Sequence, residues 1–178
     1  MKRIFLATAC LLFMVAATAS AQTTDTVQAA GLDARYAVNM LKPGTPAPDV
    51  KLKTYDGKDI RLSQYRGSYV VLDFWASWCG PCRQAMPDLI KVYADYKGKL
   101  EIVGVSLDEN PGAWKKAIAR LGITWPQMSD YKGWASPAAM QYGVHSIPHT
   151  LLIDNDGTII GRNLHGEELT DKLSAALR

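Results

Sequence analysis

Cysteine and histidine are both scarce in this chain, with three of each in 178 residues. Neither charge sign dominates: 20 Lys and Arg against 17 Asp and Glu leave a formal net charge of +3. There is no basic run and no interleaving of aromatic with basic residues, so nothing points to a nucleic-acid partner. Internal repeats and low-complexity tracts are absent as well. No apolar run reaches the roughly 20 residues that a stable membrane-spanning helix needs.

The amino terminus carries a pattern of its own. Lys2 and Arg3 precede an apolar run from Ile4 to Ala17, and Ala19-Ser20-Ala21 supplies small residues at cleavage spacing. That combination reads as a secretory signal peptide over 1–21, cut after Ala21. Retention as a membrane anchor is the alternative. A lipid-modified Cys10 is a weaker third, because apolar residues continue past it. Cleavage removes two positive charges and leaves a net charge of +1, with Cys79 and Cys82 as the only cysteines. Residues 22–42 read as a loose polar arm and 43–178 as one domain, long enough to bury a real core.

Local patterns order the domain. Lys42-Pro43-Gly44-Thr45-Pro46-Ala47-Pro48 is a connecting strap that cannot be helical. Val50 and Leu52, then Ile60 and Leu62, alternate with polar residues around Asp56-Gly57, a hairpin signal. Residues 69–75 are nearly all apolar, which suits a central strand covered on both faces. A helix is predicted from about Pro81 to Lys97, kinked at Pro87. A second buried strand follows from Glu101 to Leu107, then a helix over 111–121 stopped by Gly122. Trp125 to Met128 reads as a short extended piece and Ser136 to Tyr142 as a helical turn. Strands at 150–154 and 158–163 join through Asn155-Asp156-Gly157, and a helix closes the chain from Glu167. The order ββ-βαβα-ββα predicts an α/β fold: a mixed sheet with helices on both faces and a right-handed βαβ crossover.

Cys79 and Cys82 fall where the first buried strand meets its helix, at the carboxyl end of a central strand, the usual location of sites in open α/β sheets. Two thiols three positions apart can close and reopen a small disulfide. A structural staple is the bland alternative, but so short a loop constrains the unfolded chain little. Cys79 at the helix start faces unpaired N–H groups and the positive dipole end, worth about 0.3–2 kcal/mol to a thiolate. It is therefore the candidate nucleophile. Cys82, one turn deeper, is the candidate resolving thiol. Gly80-Pro81 carries no charge, which favours a reducing couple over a strongly oxidising one. Asp73, in an otherwise apolar strand, is a candidate proton acceptor for Cys82, its pKa raised by burial. A solvated strand-end aspartate is the alternative.

Trp78-Cys79-Gly80-Pro81-Cys82, with Asp73-Phe74-Trp75-Ala76 upstream, closely resembles the active site of the thioredoxin superfamily. The signal peptide, the strap, the hairpin ending Leu62-Ser63-Gln64-Tyr65-Arg66-Gly67 and an insert from about Asn110 to Gly143 resemble its exported TlpA/ResA-like branch, within the AhpC/TSA-related group. The resemblance covers about residues 43–178. It implies a thioredoxin-like fold and a protein-disulfide oxidoreductase without a cofactor or bound metal. It aligns Ile147-Pro148 with the family's cis-proline loop, and puts Trp78, Gly80, Pro81 and Ile147 against the substrate. Members reduce disulfides of secreted proteins, apocytochrome c among them, and are recharged by a membrane thiol electron donor. The implied setting is the periplasm, and the implied state is a monomer. Two departures stand out: Ala85 replaces a glutamate common three positions after the second cysteine, and Gly104 stands where cytosolic thioredoxins place a lysine near the buried aspartate.

Two other functions compete. A peroxiredoxin-like peroxidase needs Pro and Thr seven and three positions before the cysteine, where this chain has Leu72 and Ala76. A metal carrier would use Cys79, Cys82 and His149, although carriers of that type space their cysteines by three residues. Glu109 reads as a solvated loop charge. Trp75 and Trp78 read as the floor and rim of the site, and Trp114, Trp125 and Trp134 as packing in the insert.

Overall fold

The computed structural model describes residues 41–177. The signal peptide expected over 1–21 and the arm expected over 22–42, apart from its last two residues, lie outside them. Among the described residues no helix is long and apolar enough to cross a membrane.

A short hairpin, β1 (Lys51–Lys53) and β2 (Asp59–Arg61), forms its own antiparallel sheet. The main sheet begins with β3 (Tyr69–Trp75), followed by helix α1 (Gly80–Asp95) and strand β4 (Leu100–Ser106). Helix α2 (Pro111–Leu121) leads to β5 (Gln127–Met128), a 3-10 turn at 133–135 and the short helix α3 (Pro137–Gln141). Strands β6 (His149–Ile153) and β7 (Ile159–Arg162) and helix α4 (Gly166–Ala176) complete the domain. Strand order is β5-β4-β3-β6-β7. β3 pairs parallel with β4 and antiparallel with β6, so the sheet is mixed, as the element order implied.

The centre of this sheet is buried. Val71, Leu72, Phe74 and Trp75 of β3 and Ile102, Val103 and Val105 of β4 are fully buried. Each such side chain contributes about 1.5–3 kcal/mol through burial. α1 turns Cys82, Met86, Leu89 and Val92 inward at helical spacing. It runs through Pro87 as one element, and Pro87 is exposed.

Local chemistry explains the helix ends. Asn110 caps α2 by accepting from the Ala113 N–H at 3.0 Å, and Gly122 ends it in the left-handed region at φ 68°. The strap lies on the β7 hairpin: Gly44 N donates to Ile159 O and Ala47 N to Gly157 O, at 2.8 and 2.9 Å. Its prolines have no N–H to donate, so the residues between them make these bonds. Lys53 and Ser129 exchange backbone hydrogen bonds and join the hairpin to the chain just beyond β5.

Candidate active site

β3 ends at Trp75, and four residues later the chain enters α1. Cys79 is the N-cap of α1, extended at φ −77° and ψ 110°, with Pro81 in the first turn. Its sulfur accepts the Cys82 N–H at 3.1 Å, one of the helix N–H groups that would otherwise lack a partner. Cys79 and Cys82 are bridged, S–S 2.01 Å. Cys79 keeps a little exposure, 5%, whereas Cys82 has none.

The loop before Cys79 is held from both sides. The buried Asp108 carboxylate accepts from Ser77 N and from Ser106 Oγ, each at 2.8 Å, and also from Ser77 Oγ. Arg83 Nη1 donates to Ser77 O at 2.8 Å. Asp108 sits just beyond β4, the parallel neighbour of β3, at the same sheet end as the cysteines. Sequence reasoning did not single it out; its neighbour Glu109, read as a solvated loop charge, is exposed. The available signal was an aspartate directly after a buried strand.

The opposite wall comes from β6. The Ile147–Pro148 bond is cis. The Ile147 carbonyl oxygen lies 3.7 Å from Cys79 Sγ, so the loop backbone sits directly against the disulfide. His149 follows, buried in β6 opposite Phe74. Among the described residues no three His, Cys, Asp or Glu side chains are gathered to hold a metal.

Aromatic surface flanks the bridge. Trp78 is 54% exposed and Trp134 47%, with ring centroids 6.4 Å apart and planes tilted by 56°. Trp134, expected to pack in the core or at the surface of the insert, packs on Trp78 at the protein surface. Trp114 and Trp125 are buried. Trp75 is fully buried and donates from Nε1 to Gln127 Oε1 at 2.8 Å.

Asp73 is buried in β3, between Gly104 of β4 and Thr150 of β6 in sheet register. Burial pushes its carboxyl up to about 7, and among the described residues no charged neighbour contributes. Among the described residues its Oδ2 has no hydrogen-bond partner.

Residues 43–162 match the sequence profile of the AhpC/TSA family. The chain belongs to the AhpC/TSA family. Its similarity to the thiol–disulfide oxidoreductase ResA of Bacillus thuringiensis subsp. konkukian is 33% identity, over 76% of each chain. With the thioredoxin-like protein YneN of Bacillus subtilis it is 35%, over 74% of this chain and 76% of the other. The thioredoxin domain of a thiol–disulfide oxidoreductase from Bacteroides vulgatus superposes with a TM-score of 0.73 at 31% identity, over 78% of this chain and 99% of that one. This AhpC/TSA-family protein therefore has the thioredoxin-like fold, and it is a thiol–disulfide oxidoreductase whose exchanging sulfurs are the Cys79–Cys82 pair.

Proposed function

We propose that this protein reduces disulfides in exported client proteins. Cys79 attacks, Cys82 resolves and Asp73 takes the resolving proton. The observation that carries this reading is the position of Cys79, whose sulfur caps α1 and receives a helix N–H, while Cys82 lies fully enclosed behind it.

The cycle begins from the dithiol. The Cys79 thiolate attacks one client sulfur, the client S–S bond breaks, and one client thiolate leaves and is protonated. A mixed disulfide between Cys79 and the client remains. Cys82 passes its proton to Asp73 and attacks Cys79 Sγ, which releases the second client thiolate. Two electrons have moved to the client, and the protein holds the bridge described above. A carboxyl titrating near neutrality can accept a proton and return it. The uncharged Gly80-Pro81 pair leaves thiolate stabilisation to one N–H and the helix dipole, which favours a donor of electrons over a strong oxidant.

The client meets Trp78, Gly80 and Pro81 on one side and the cis Ile147–Pro148 loop on the other. Trp134 extends the apolar rim. The signal peptide over 1–21 exports the chain to the periplasm. There a membrane thiol electron donor recharges it, and it works as a monomer. The test is insulin disulfide reduction by purified residues 22–178 alongside hydrogen peroxide consumption. Rapid insulin reduction with negligible peroxide turnover supports the reading, and the reverse pattern overturns it.

A further inference from the structure

Asp73, Gly104 and Gln127 occupy one row across β3, β4 and β5. Partners in a parallel row project to the same face, so Asp73 and Gln127 share a face, with only a glycine between them. The Gln127 side chain fills that gap. A Cβ on Gly104 would stand 2.2 Å from Gln127 Nε2 and 2.3 Å from Oε1, so the amide lies directly over the glycine. Its orientation is determined. An indole N–H can only donate, so the Trp75 bond at 2.8 Å requires the amide oxygen to face Trp75 and sends the NH2 group elsewhere. Gln127 is 2% exposed, and among the described residues its Nε2 has no hydrogen-bond partner. Asp73 Oδ2, an acceptor in the same row, has none either. A buried unpaired donor and a buried unpaired acceptor are each costly, and here they are complementary.

We infer that Gln127, aligned by Trp75 and admitted by Gly104, is a positioning residue whose amide N–H supports the ionised Asp73 carboxylate, directly or through one bridging water. The groups around Asp73 leave this role open. Thr150, its partner on β6, donates its hydroxyl to Leu164 O at 2.6 Å. His149 adjoins Thr150 in β6 and so projects to the other face. Among the described residues no charged side chain acts on Asp73. A neutral donor thus stands where a cationic partner would lower the proton affinity of Asp73 much further. The amide keeps Asp73 able both to take and to release a proton.

The inference rests on the proposed role of Asp73 in resolution, and its test separates the two. The Asp73 carboxyl is titrated by carbon NMR in the oxidised wild type, Gln127→Leu, Gln127→Glu and Gly104→Ala. Gln127→Leu is expected to raise the proton affinity of Asp73 about tenfold, as for loss of one hydrogen bond to a charged group, and Gln127→Glu further. In Gly104→Ala the new methyl displaces the amide and gives the same rise as Gln127→Leu. The double variant adds little to either single change. A midpoint unmoved in Gln127→Leu, with the Trp75 fluorescence altered to show that the contact is gone, overturns the inference. So does additivity in the double variant. Stopped-flow resolution of a Cys79 mixed disulfide addresses the underlying reading. If resolution in the wild type ignores the Asp73 midpoint, the proton-acceptor role fails even where Gln127 tunes that midpoint.

Discussion

Asp73→Asn is expected to make the oxidised protein more stable and the cycle slower, and the stability gain has a defined pH course. In the unfolded chain this carboxyl ionises near 3.8, and in the folded protein burial moves it to about 7. Below pH 3.8 it is protonated in both states and costs nothing. As pH rises through this window the unfolded state loses its proton first, and stability falls until the folded group has also ionised. At 1.36 kcal/mol per pH unit the full span corresponds to about 4 kcal/mol. Asparagine is neutral throughout. The variant should therefore gain roughly 1.5 kcal/mol over wild type at pH 5 and about 4 kcal/mol at pH 8. Urea melts of both oxidised proteins at the two pH values measure this. With slopes of about 1–3 kcal/mol per molar, the gap between their midpoints should widen by on the order of 1 M. A gap that stays constant between pH 5 and pH 8 refutes the burial argument. The same substitution removes the proton acceptor, so resolution of a mixed disulfide at pH 7 should slow by about 10²-fold or more.

Other outcomes follow from the same geometry. Cys82→Ser should accumulate clients covalently on Cys79, whereas Cys79→Ser should accumulate none; equal trapping on non-reducing gels would reverse the assigned roles. Asp108→Ala strips the Ser77 and Ser106 donors of their acceptor. It should cost about 2–4 kcal/mol in chemical denaturation and slow exchange at Cys79. Trp134→Ala should lower kcat/KM for a protein disulfide by about tenfold, with a smaller loss for glutathione disulfide; equal losses would remove Trp134 from the client surface.

Much of the fold was legible because its determinants are local. The largely apolar runs at 69–75 and 101–107, the Gly122 stop and the Asp56-Gly57 and Asn155-Asp156-Gly157 turns each act within a few residues. The position of the Cys pair at the mouth of a helix followed from the same signals. The cis state of Ile147–Pro148 did not; resemblance to a known active site suggested it, and the structure shows it.

The chain's own order of residues thus determined the strand–loop–helix unit, the chemistry of its two sulfurs and a buried carboxyl six positions upstream. These depend on backbone preferences and hydrophobic spacing that act along the chain. Only the tertiary structure decided that Asp108 clamps Ser77, that Trp134 meets Trp78, and that Gln127 crosses Gly104 into the row of Asp73. Each of these pairs joins residues 23 to 56 positions apart in sequence. Their meeting is set by strand order and register, which emerge when the whole core packs and leave no periodic trace in either segment alone.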